Sequence, residues 1–422
     1  MLSQADANLV ARDYRLPGLK CLLDPQAFRD MLDRALPDLC LDAVEIGYVR
    51  YKPGTNCLSA FTLEVAGRSV RGYAKAYRTD DWDKLHKADE RSTVAGPLGP
   101  GRFILEDHAI EVVFFPNDNK LRTLRKLFDD TSGPKLLART FPERPDLQSG
   151  TVHHLRYKPE RRFVARLDTG GEPQAVLKLY SHSAYAAAQR AVETFDRSIS
   201  VVGQSDRHCM LAFAWRAGTQ LADSISGPDL CLADVAQTGS ALAVLHDRDG
   251  GTLAVRDREA EVTTILATAE NLAVLHPPLL RLTGELVRRF ANELAQAPAI
   301  QQPIHGDFYA QQVLVGADRI EILDLDEAVI ADPAADLGLF IAHLERDALC
   351  GQLPEARVAP VRDALLAGYG LPPERVDLYT AIGLLQLAPH HFRHREPDWS
   401  ARMEATLERA LSIVCQRHAI CV

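Results

Sequence analysis

The pattern of apolar and polar positions divides the chain into a strand-rich first half and a mostly helical second half. Residues 1–40 are predicted to form one or two short helices interrupted by prolines. Three runs between residues 44 and 77 then alternate with a period of two, which is typical of consecutive antiparallel strands. A polar helical segment and two further strands, 103–106 and 109–115, complete a first β-rich domain.

The same strand pattern then occurs a second time. Residues 153–158, 163–168 and 174–180 are again three strands, and Arg-Tyr-Lys-Pro at 50–53 recurs at 156–159. An internal duplication is the economical explanation. Chance similarity of two strand-rich segments is the alternative, because only this tetrapeptide is identical.

A lysine in the third strand of each copy is followed fifteen residues later by a glutamate in the next helix. The pairs are Lys75 with Glu90 and Lys178 with Glu193. In kinase folds such a lysine contacts the nucleotide phosphates and the glutamate holds it as an ion pair. A solvated lysine at the edge of a sheet is the alternative interpretation of Lys178 taken alone.

After residue 218 the apolar residues recur at spacings of three and four, which indicates helices. We expect these helices at residues 230–246, 259–275, 279–295, 334–349, 355–369, 372–393 and 398–418. Three histidines, at 390, 391 and 394, fall near the end of one of them. We expect an exposed helix end there in preference to a metal site, since no cysteine or carboxylate stands at a metal-site spacing.

The segment 303–330 interrupts the helical pattern with two short apolar runs joined by a Gly-Ala-Asp turn, which predicts a β-hairpin. The hairpin is expected to bring Asp307, Gln312 and Asp324 to one end of a rigid element. One aspartate to take a proton, with a carboxylate and an amide oxygen for a hard cation, is what phosphoryl transfer from Mg-ATP requires. An ordinary buried hairpin with surface acids is the alternative.

The spacing within this segment resembles that of a kinase catalytic loop. Protein kinases carry H-R-D-x-x-x-x-N before a metal-binding aspartate. Here His305-Gly306-Asp307 precedes Gln312 by the same interval of five from aspartate to amide. Two features differ, because the amide is glutamine and the residue after the histidine is glycine.

The motifs in this segment, together with Asp-Pro-Ala-Ala-Asp-Leu-Gly at 332–338, resemble those of the aminoglycoside phosphotransferase and choline kinase-like family. The resemblance covers residues from about 151 to the C-terminus. It implies an ATP- and Mg²⁺-dependent small-molecule kinase. Glutamine at the amide position, and an extra N-terminal domain, are similar to the maltokinase-like sugar kinases of that family.

The resemblance also implies roles for individual residues. Asp307 is the expected catalytic base, and Gln312, Asp324 and Asp326 are the expected metal ligands. A brace for the loop is the alternative role of Asp326. Lys178, fixed by Glu193, is expected to bind the nucleotide. Arg162 lies in the turn that would cover the phosphates, and Phe213 and Trp215 lie in the apolar run that resembles the hinge strand. His305 is expected to be structural, and Asp332 and Asp336 are expected to cap the following helix.

Composition limits the classes of function. A net charge of −9 and a pI near 5.9 argue against a general nucleic-acid binder. The eight cysteines are scattered without a C-x-x-C pair, which favours reduced thiols over a disulfide framework. Neither a signal peptide nor a run of 18 apolar residues is evident, so we expect a cytoplasmic protein without a membrane partner.

These observations predict an α+β, bilobal protein-kinase-like fold preceded by a domain that looks like a duplicated N-lobe. The expected domains are a cap at 1–140, a nucleotide-binding N-lobe at 141–218 and a helical C-lobe at 219–422. The expected reaction is phosphorylation of a hydroxyl group on a small polar molecule, with a sugar or an amino sugar as the favoured acceptor. An antibiotic kinase and a kinase-like binding module without catalysis are the alternatives, the latter because Gln312 is one methylene longer than asparagine. The sequence specifies neither the acceptor, the choice of ATP or GTP, nor the oligomeric state.

Overall fold

The computed structural model describes residues 2–37, 40–89, 93–96, 98–195, 200–298, 300–317 and 319–420. The chain divides into two compact units. Unit 1 comprises Met1–Ala186, Arg197–Trp215 and Phe392–Pro397, and unit 2 comprises Ala187–Asp196, Arg216–His391 and Asp398–Val422. The second segment of unit 1 ends at Trp215, and the domain boundary expected at residue 218 stays a prediction. The further division of unit 1 at residue 140 also stays a prediction.

Unit 1 begins with three short helices and a five-stranded antiparallel sheet. The elements are α1 (Gln4–Arg12), α2 (Leu19–Leu23), α3 (Pro25–Ala35), β1 (Leu41–Lys52), β2 (Asn56–Val65), β3 (Arg68–Tyr77), α4 (Trp82–Asp89), β4 (Arg102–Leu105) and β5 (Ile110–Phe114). The strands lie in the order β1-β2-β3-β5-β4. The fourth and fifth strands are joined by a 3₁₀ turn that ends at Ala109 in the left-handed region, with φ 49°.

A second sheet repeats this arrangement. Its elements are α5 (Leu124–Leu127), α6 (Ser132–Thr140), β6 (Thr151–Lys158), β7 (Arg162–Thr169), β8 (Glu172–Tyr180), α7 (His182–Phe195), β9 (Val201–Ser205) and β10 (Met210–Ala214). The order β6-β7-β8-β10-β9 matches that of the first sheet. The 3₁₀ turn that joins β9 to β10 again ends at a residue in the left-handed region, Cys209, with φ 51°. The predicted duplication of the lobe is thus confirmed at the level of the fold, including strand β9, which the sequence pattern did not reveal.

The first repeat clamps its β1–β2 turn with an aspartate that precedes the sheet. Asp13 Oδ2 accepts hydrogen bonds from the Tyr51 hydroxyl at 2.7 Å and from the Gly54 amide at 2.9 Å. The turn has proline at its second position and Gly54 at its third with φ +60°, which is the geometry of a type II turn.

The second repeat uses the same clamp. Asp118 Oδ2 accepts from the Tyr157 hydroxyl at 2.7 Å and from the Glu160 amide at 2.8 Å. The sequence signal for the clamp is a pair of segments, 13–24 and 118–129, that share aspartate at both ends and leucine at the fourth, seventh and tenth positions. The repeated unit therefore starts before its sheet, at Asp13 and Asp118, and the shared Arg-Tyr-Lys-Pro tetrapeptide is the part that engages the clamp.

The remaining chain is mostly helical, as predicted. The helices are α8 (Leu221–Ser226), α9 (Leu232–His246), α10 (Arg258–Leu275), α11 (Leu280–Gln296), α12 (Ala334–Leu349), α13 (Val358–Tyr369), α14 (Val376–Leu387), α15 (Pro389–Arg393) and α16 (Trp399–Ile420). The short strands are β11 (Thr219–Gln220), β12 (Gln302–Ile304), β13 (Val313–Val315), β14 (Ile320–Ile322) and β15 (Val329–Ala331). Strands β11, β13 and β14 form one sheet, and β12 pairs with β15.

Three expectations about the helices are corrected. The N-terminal residues form three helices, where one or two were expected. The helix expected at 372–393 is divided between α14 and α15, because Pro389 has no amide hydrogen to continue the ladder. His391 does not lie at an exposed helix end, since it is fully buried and its Nε2 lies 2.9 Å from Thr406 Oγ1.

Close packing of α12 against α14 forms the core of unit 2 behind the segment 303–330. A Cβ atom at Gly338 would lie 2.5 Å from the backbone carbon of Tyr379, so only glycine permits this approach. None of the helices among the described residues combines the length and apolar character that a membrane crossing needs.

Candidate active site

The predicted hairpin is confirmed, and its base carries two of the expected site residues. Strands β13 and β14 pair in antiparallel fashion with Val313 opposite Ile322. Gln312 directly precedes β13, and the Leu323 amide donates to the Gln312 carbonyl at 2.7 Å. Asp324 is the next residue after Leu323, so Gln312 and Asp324 stand at the same end of the hairpin.

His305 ties the loop of Asp307 to this end of the hairpin. Its ring is fully buried, its Nε2 lies 2.7 Å from the Leu323 carbonyl, and its Nδ1 lies 3.3 Å from the Asp307 amide. Because a carbonyl can only accept and an amide N–H only donates, Nε2 carries the proton and Nδ1 accepts. The expected structural role of His305 is therefore confirmed.

Asp336 holds the same loop through two of its backbone amides. Its carboxylate accepts from the His305 amide at 2.6 Å and from the Gly306 amide at 2.9 Å. Gly306 has φ +81°, and a Cβ there would lie 2.3 Å from the Glu327 carbonyl oxygen, so glycine is required at this position of the motif. Asp336 lies in the first turn of α12 and braces the loop. The expectation that it caps the helix is wrong.

Asp332 is the residue that bonds the start of α12. Its Oδ1 accepts from the Ala334 amide at 3.0 Å, as a capping carboxylate does. Its Oδ2 accepts from Arg375 Nε at 3.1 Å, and both side chains are buried. The start of the helix that carries Asp336 is thus fixed by a buried ion pair.

A buried histidine keeps Asp336 ionised. His246 Nε2 lies 3.0 Å from Asp336 Oδ2, and His246 Nδ1 lies 3.0 Å from the Tyr369 hydroxyl. Burial alone acts to raise the pKa of Asp336, but the hydrogen bond and charge of His246 and the proximity of His305 hold that pKa below its ordinary value. An ionised Asp336 can accept both loop amides, which keeps the backbone before Asp307 in one conformation.

Asp324 has a backbone conformation that is uncommon for a residue with a side chain. It lies in the left-handed region with φ 62° and ψ 50°, at the start of a 3₁₀ turn, Leu325–Glu327, that contains Asp326. Such conformations cost about 1–3 kcal/mol and concentrate at functional sites. Gln312, Asp324 and Asp326 together offer one amide and two carboxylate oxygens near one end of the hairpin, and this donor set fits Mg²⁺.

A stacked pair beside Asp307 was not predicted from the sequence. The rings of Tyr309 and His343 lie 4.2 Å apart with 10° between their planes. Burial lowers the pKa of His343 to about 3, so the imidazole is neutral at physiological pH. Tyr309 remains partly exposed two residues after Asp307. No periodicity or spacing connects a loop tyrosine with a histidine on α12, so the pair depends on the tertiary fold.

The expected nucleotide-binding residues of the second sheet lie in unit 1. Lys178 stands on β8 opposite Val164 and Leu211. Its Nζ lies 5.1 Å from the centre of the Phe213 ring, within the range of a cation–π contact. The Trp215 amide donates to the Gln174 carbonyl at 2.9 Å and so continues the β8–β10 pairing.

Two further members of the expected nucleotide site are placed by neighbouring elements. Glu193 lies in the part of α7 that belongs to unit 2, where its Oε2 accepts from the Thr252 hydroxyl at 3.3 Å. Its pairing with Lys178 stays a prediction. Arg162 is the first residue of β7, where it pairs with Lys158 across the turn, and its role in binding phosphate also stays a prediction.

Glu160, in the turn expected to cover the nucleotide, was not singled out from the sequence. It is buried, with φ +59°, and its carboxylate contacts Arg50 at 2.7 Å and Lys75 at 2.8 Å. Burial acts to raise the pKa of Glu160, but Lys75 and Arg50 bring it below the ordinary value. Lys75 is thus ion-paired with the second repeat. Its expected partner, Glu90, lies outside the described residues.

Comparison with known proteins decides the family. The sequence profile of the phosphotransferase enzyme family matches residues 145–379, which is more than half of the chain. The chain belongs to this family. The matched region contains the second sheet, the His-Gly-Asp loop, the hairpin and the Asp332–Asp336 segment. No protein in the search of curated proteins matches the chain.

One solved kinase structure shares the fold of this phosphotransferase, and two others are similar to it at lower TM-scores. Choline kinase from Cryptosporidium parvum Iowa II has a TM-score of 0.51 and 11% identity, and the similarity covers 68% of this chain and 96% of that one. A choline/ethanolamine kinase family protein from Mesorhizobium loti has a TM-score of 0.46 and 16% identity over 67% and 94% of the two chains. A thermostable mutant of the aminoglycoside phosphotransferase APH(4)-Ia has a TM-score of 0.49 and 16% identity over 67% and 98%.

Family membership establishes the class of chemistry. The protein is a small-molecule phosphotransferase with an α+β, kinase-like fold. The donor set at the base of the hairpin fits the metal, as described above. The extra N-terminal repeat lies outside the matched residues.

Proposed function

We propose that this phosphotransferase transfers the γ-phosphoryl group of ATP to a hydroxyl group of a sugar or amino sugar, with Asp307 as the catalytic base. The observation that carries the proposal is the buried brace behind Asp307. Asp336, ionised beside His246, fixes the amides of His305 and Gly306, and His305 fixes the Asp307 amide relative to the hairpin. A preorganised carboxylate beside a set of oxygen ligands is the arrangement that phosphoryl transfer to an alcohol uses.

The residues of the chain divide the chemistry between them. Asp307 accepts or orients the proton of the attacking hydroxyl group. Gln312, Asp324 and Asp326 hold the metal, and Lys178 steadies the phosphates of the nucleotide. When bound, Mg²⁺ supplies positive charge that balances the charge developing on the phosphoryl oxygens.

The position of Tyr309 favours an acceptor that contains a ring. It presents a partly exposed aromatic face and a hydroxyl group two residues from the base, and the neutral ring of His343 holds it in place by stacking. Ligand sites combine apolar or aromatic faces with a few placed polar groups. A pyranose ring offers an apolar face for Tyr309 and several hydroxyl groups, one of which can lie at Asp307.

The test is ATP turnover by the full chain with a panel of sugars, amino sugars and aminoglycosides, with and without Mg²⁺. Asp307→Asn should lower kcat by about 10²–10⁴, the range for loss of a general base. It should leave ATP affinity unchanged. The matched control is Asp363→Asn, an exposed aspartate on α13, which should keep full activity.

Each alternative gives a distinct result in the same assay. Turnover of aminoglycosides in preference to sugars would identify an antibiotic kinase. ATP binding without turnover of any acceptor would identify a binding module. Unchanged kcat in a well-folded Asp307→Asn variant would refute the role of the base.

A further inference from the structure

An arginine-lined cleft that the kinase chemistry does not use lies between the first repeat and the start of the second. It lies beside the end of β5 and has a volume of about 230 Å³. Arg102 on β4 lines it, with Arg122 from the segment before α5 and Arg125 from α5 itself. Asp118, the clamp residue of the second repeat, also lines it.

The walls of the cleft are held by contacts within the protein. The Arg102 side chain is only 6% exposed, and its Nε lies 3.0 Å from Glu111 Oε1. Asn117, also buried, bonds both the amide and the carbonyl of Val94, at 2.9 and 3.0 Å, and the carbonyl of Phe114 at 3.1 Å. A preformed site loses little entropy when a ligand binds.

One buried group in the wall of the cleft needs a hydrogen-bond donor. Asn119 is about nine-tenths buried, and its Nδ2 donates to Glu111 Oε2 at 2.9 Å. Its Oδ1 accepts no hydrogen bond from any residue that the structure describes. Buried acceptors of this kind are normally satisfied by a ligand or an ordered water.

The charge balance favours an anion. Three arginines against Glu111 and Asp118 give the cleft a formal net charge of +1 (3 − 2). Asp118 already accepts hydrogen bonds from the Lys120 and Leu121 amides at 2.7 Å, in addition to those of its clamp. Both oxygens of Asp118 therefore already have hydrogen-bond donors within the protein, and the net positive charge of the cleft favours an anionic ligand.

We propose that this cleft binds a small phosphate-bearing molecule. Guanidinium groups match the geometry of phosphate oxygens. A phosphate monoester carries about −1.5 to −2 charges, so it balances three arginines better than a ligand with a single carboxylate would. The volume equals that of roughly eight waters and lies below the roughly 300 Å³ at which pockets for larger ligands begin. A phosphate group on a short carbon skeleton that carries a hydroxyl group fits the cleft, because the hydroxyl can donate to Asn119 Oδ1, as ionised phosphate oxygens cannot. A whole nucleotide is too large.

The cleft shares one residue, Asp118, with the turn of the second repeat. Asp118 lines the cleft and also holds the Glu160 amide and the Tyr157 hydroxyl. A ligand beside Asp118 therefore stabilises the 159–162 turn, which covers the nucleotide if the proposed function holds. This second step rests on the proposed function, whereas binding of the anion does not.

The experiment titrates the full chain with inorganic phosphate and with pyrophosphate at constant ionic strength, by calorimetry and thermal shift. In the double variant R122A/R125A, both anions should bind more weakly by about tenfold or more, because charge-assisted contacts are lost. The control R68A removes an exposed arginine at the start of β3 and should keep wild-type affinity. K178A should also keep anion affinity, since the proposed nucleotide site is elsewhere.

Three outcomes would overturn the site: no saturable binding beyond that of sodium chloride, equal binding by R122A/R125A, or loss of phosphate binding in K178A. ATP affinity and turnover are measured on the same variants. Failure of the proposed function appears there as absent turnover, while the phosphate titration stays intact. Hydrogen exchange at residues 157–161 should slow when phosphate is added. An unchanged exchange rate with phosphate bound would overturn the link to the turn.

Discussion

The two sheets of unit 1 share their strand order and their aspartate–tyrosine clamp, yet they differ around the lysine of the third strand and in the turn between the first two strands. Lys75 and Lys178 occupy equivalent positions, each opposite the second residue of the fifth strand. Lys75 is ion-paired with Glu160 of the other repeat, whereas Lys178 lies over the ring of Phe213. The same lysine thus joins two repeats in the first copy and lies beside the expected hinge in the second.

The residues opposite these lysines differ in the same sense. Glu111 is fully buried and accepts from the Tyr77 hydroxyl at 3.0 Å, so it forms part of a polar network inside the first repeat. Its counterpart in the second repeat is Leu211, a buried apolar residue. The first repeat uses this position for internal bonding, and the second repeat presents an apolar wall beside Lys178.

The position equivalent to Trp215 has different neighbours in the first copy. Phe115 lies one residue after β5, as Trp215 lies one residue after β10. The Phe115 ring packs edge-on against Phe128 at 4.9 Å and Tyr157 at 5.6 Å. Aromatic side chains from the second repeat thus pack against the residue of the first repeat that corresponds to Trp215. That the first copy is a cap stays a prediction.

The turns between the first two strands provide the sharpest difference. Gly54 and Glu160 have the same left-handed conformation, at φ +60° and +59°. Glycine takes this conformation without strain, whereas glutamate does not. Glu160 is retained in a strained turn because its carboxylate bonds Lys75 and Arg50, so the ion pairs offset the backbone cost.

The largest expected effect comes from removing that carboxylate. Glu160→Gln leaves Lys75 and Arg50 without their counter-charge in a partly buried site, which should destabilise unit 1 by about 3–5 kcal/mol. Glu160→Gly removes the same ion pairs but restores the residue of the first repeat, so it should recover about 1 kcal/mol of backbone strain. Urea unfolding of both variants measures the two terms. Wild-type stability in Glu160→Gln would show that the ion pairs contribute nothing net.

The next effect separates the two lysines by nucleotide binding. Lys178→Ala should weaken ATP binding by about 1.5–3 kcal/mol, the loss of a charge-assisted contact. Lys75→Ala should leave ATP affinity within about twofold while lowering stability, because its partner is Glu160. Calorimetric titration with ATP, alongside unfolding curves, distinguishes them. The opposite pattern would assign the nucleotide to the first repeat.

These differences also show which features a sequence can reveal. The hairpin and the interval from Asp307 to Gln312 are local, so periodicity and spacing alone are enough to predict both. The Glu160 ion pairs join residues 85 and 110 positions apart, and no local pattern encodes such a contact. The roles of Asp336 and of the Tyr309–His343 stack likewise depend on where α12 packs, which side-chain type alone does not specify.

The smallest expected effect is a pH dependence of stability that comes from Glu160 in the second repeat. The corresponding residue of the first repeat, Gly54, has no ionisable side chain. The pKa of Glu160 is lower in the folded protein than its ordinary value, because Lys75 and Arg50 outweigh the effect of burial. The unfolded chain therefore binds the proton more tightly, and the stabilisation is complete above the unfolded pKa of about 4.3. It is lost as the pH falls through the lower, folded pKa.

The wild-type protein should accordingly lose more stability between pH 6 and pH 3 than Glu160→Gly does, while other carboxylates such as Asp118 contribute equally to both. Unfolding curves across this range give the two slopes. Parallel slopes would mean that Glu160 is not ionised beside Lys75, and the comparison between the two turns would then rest on backbone conformation alone.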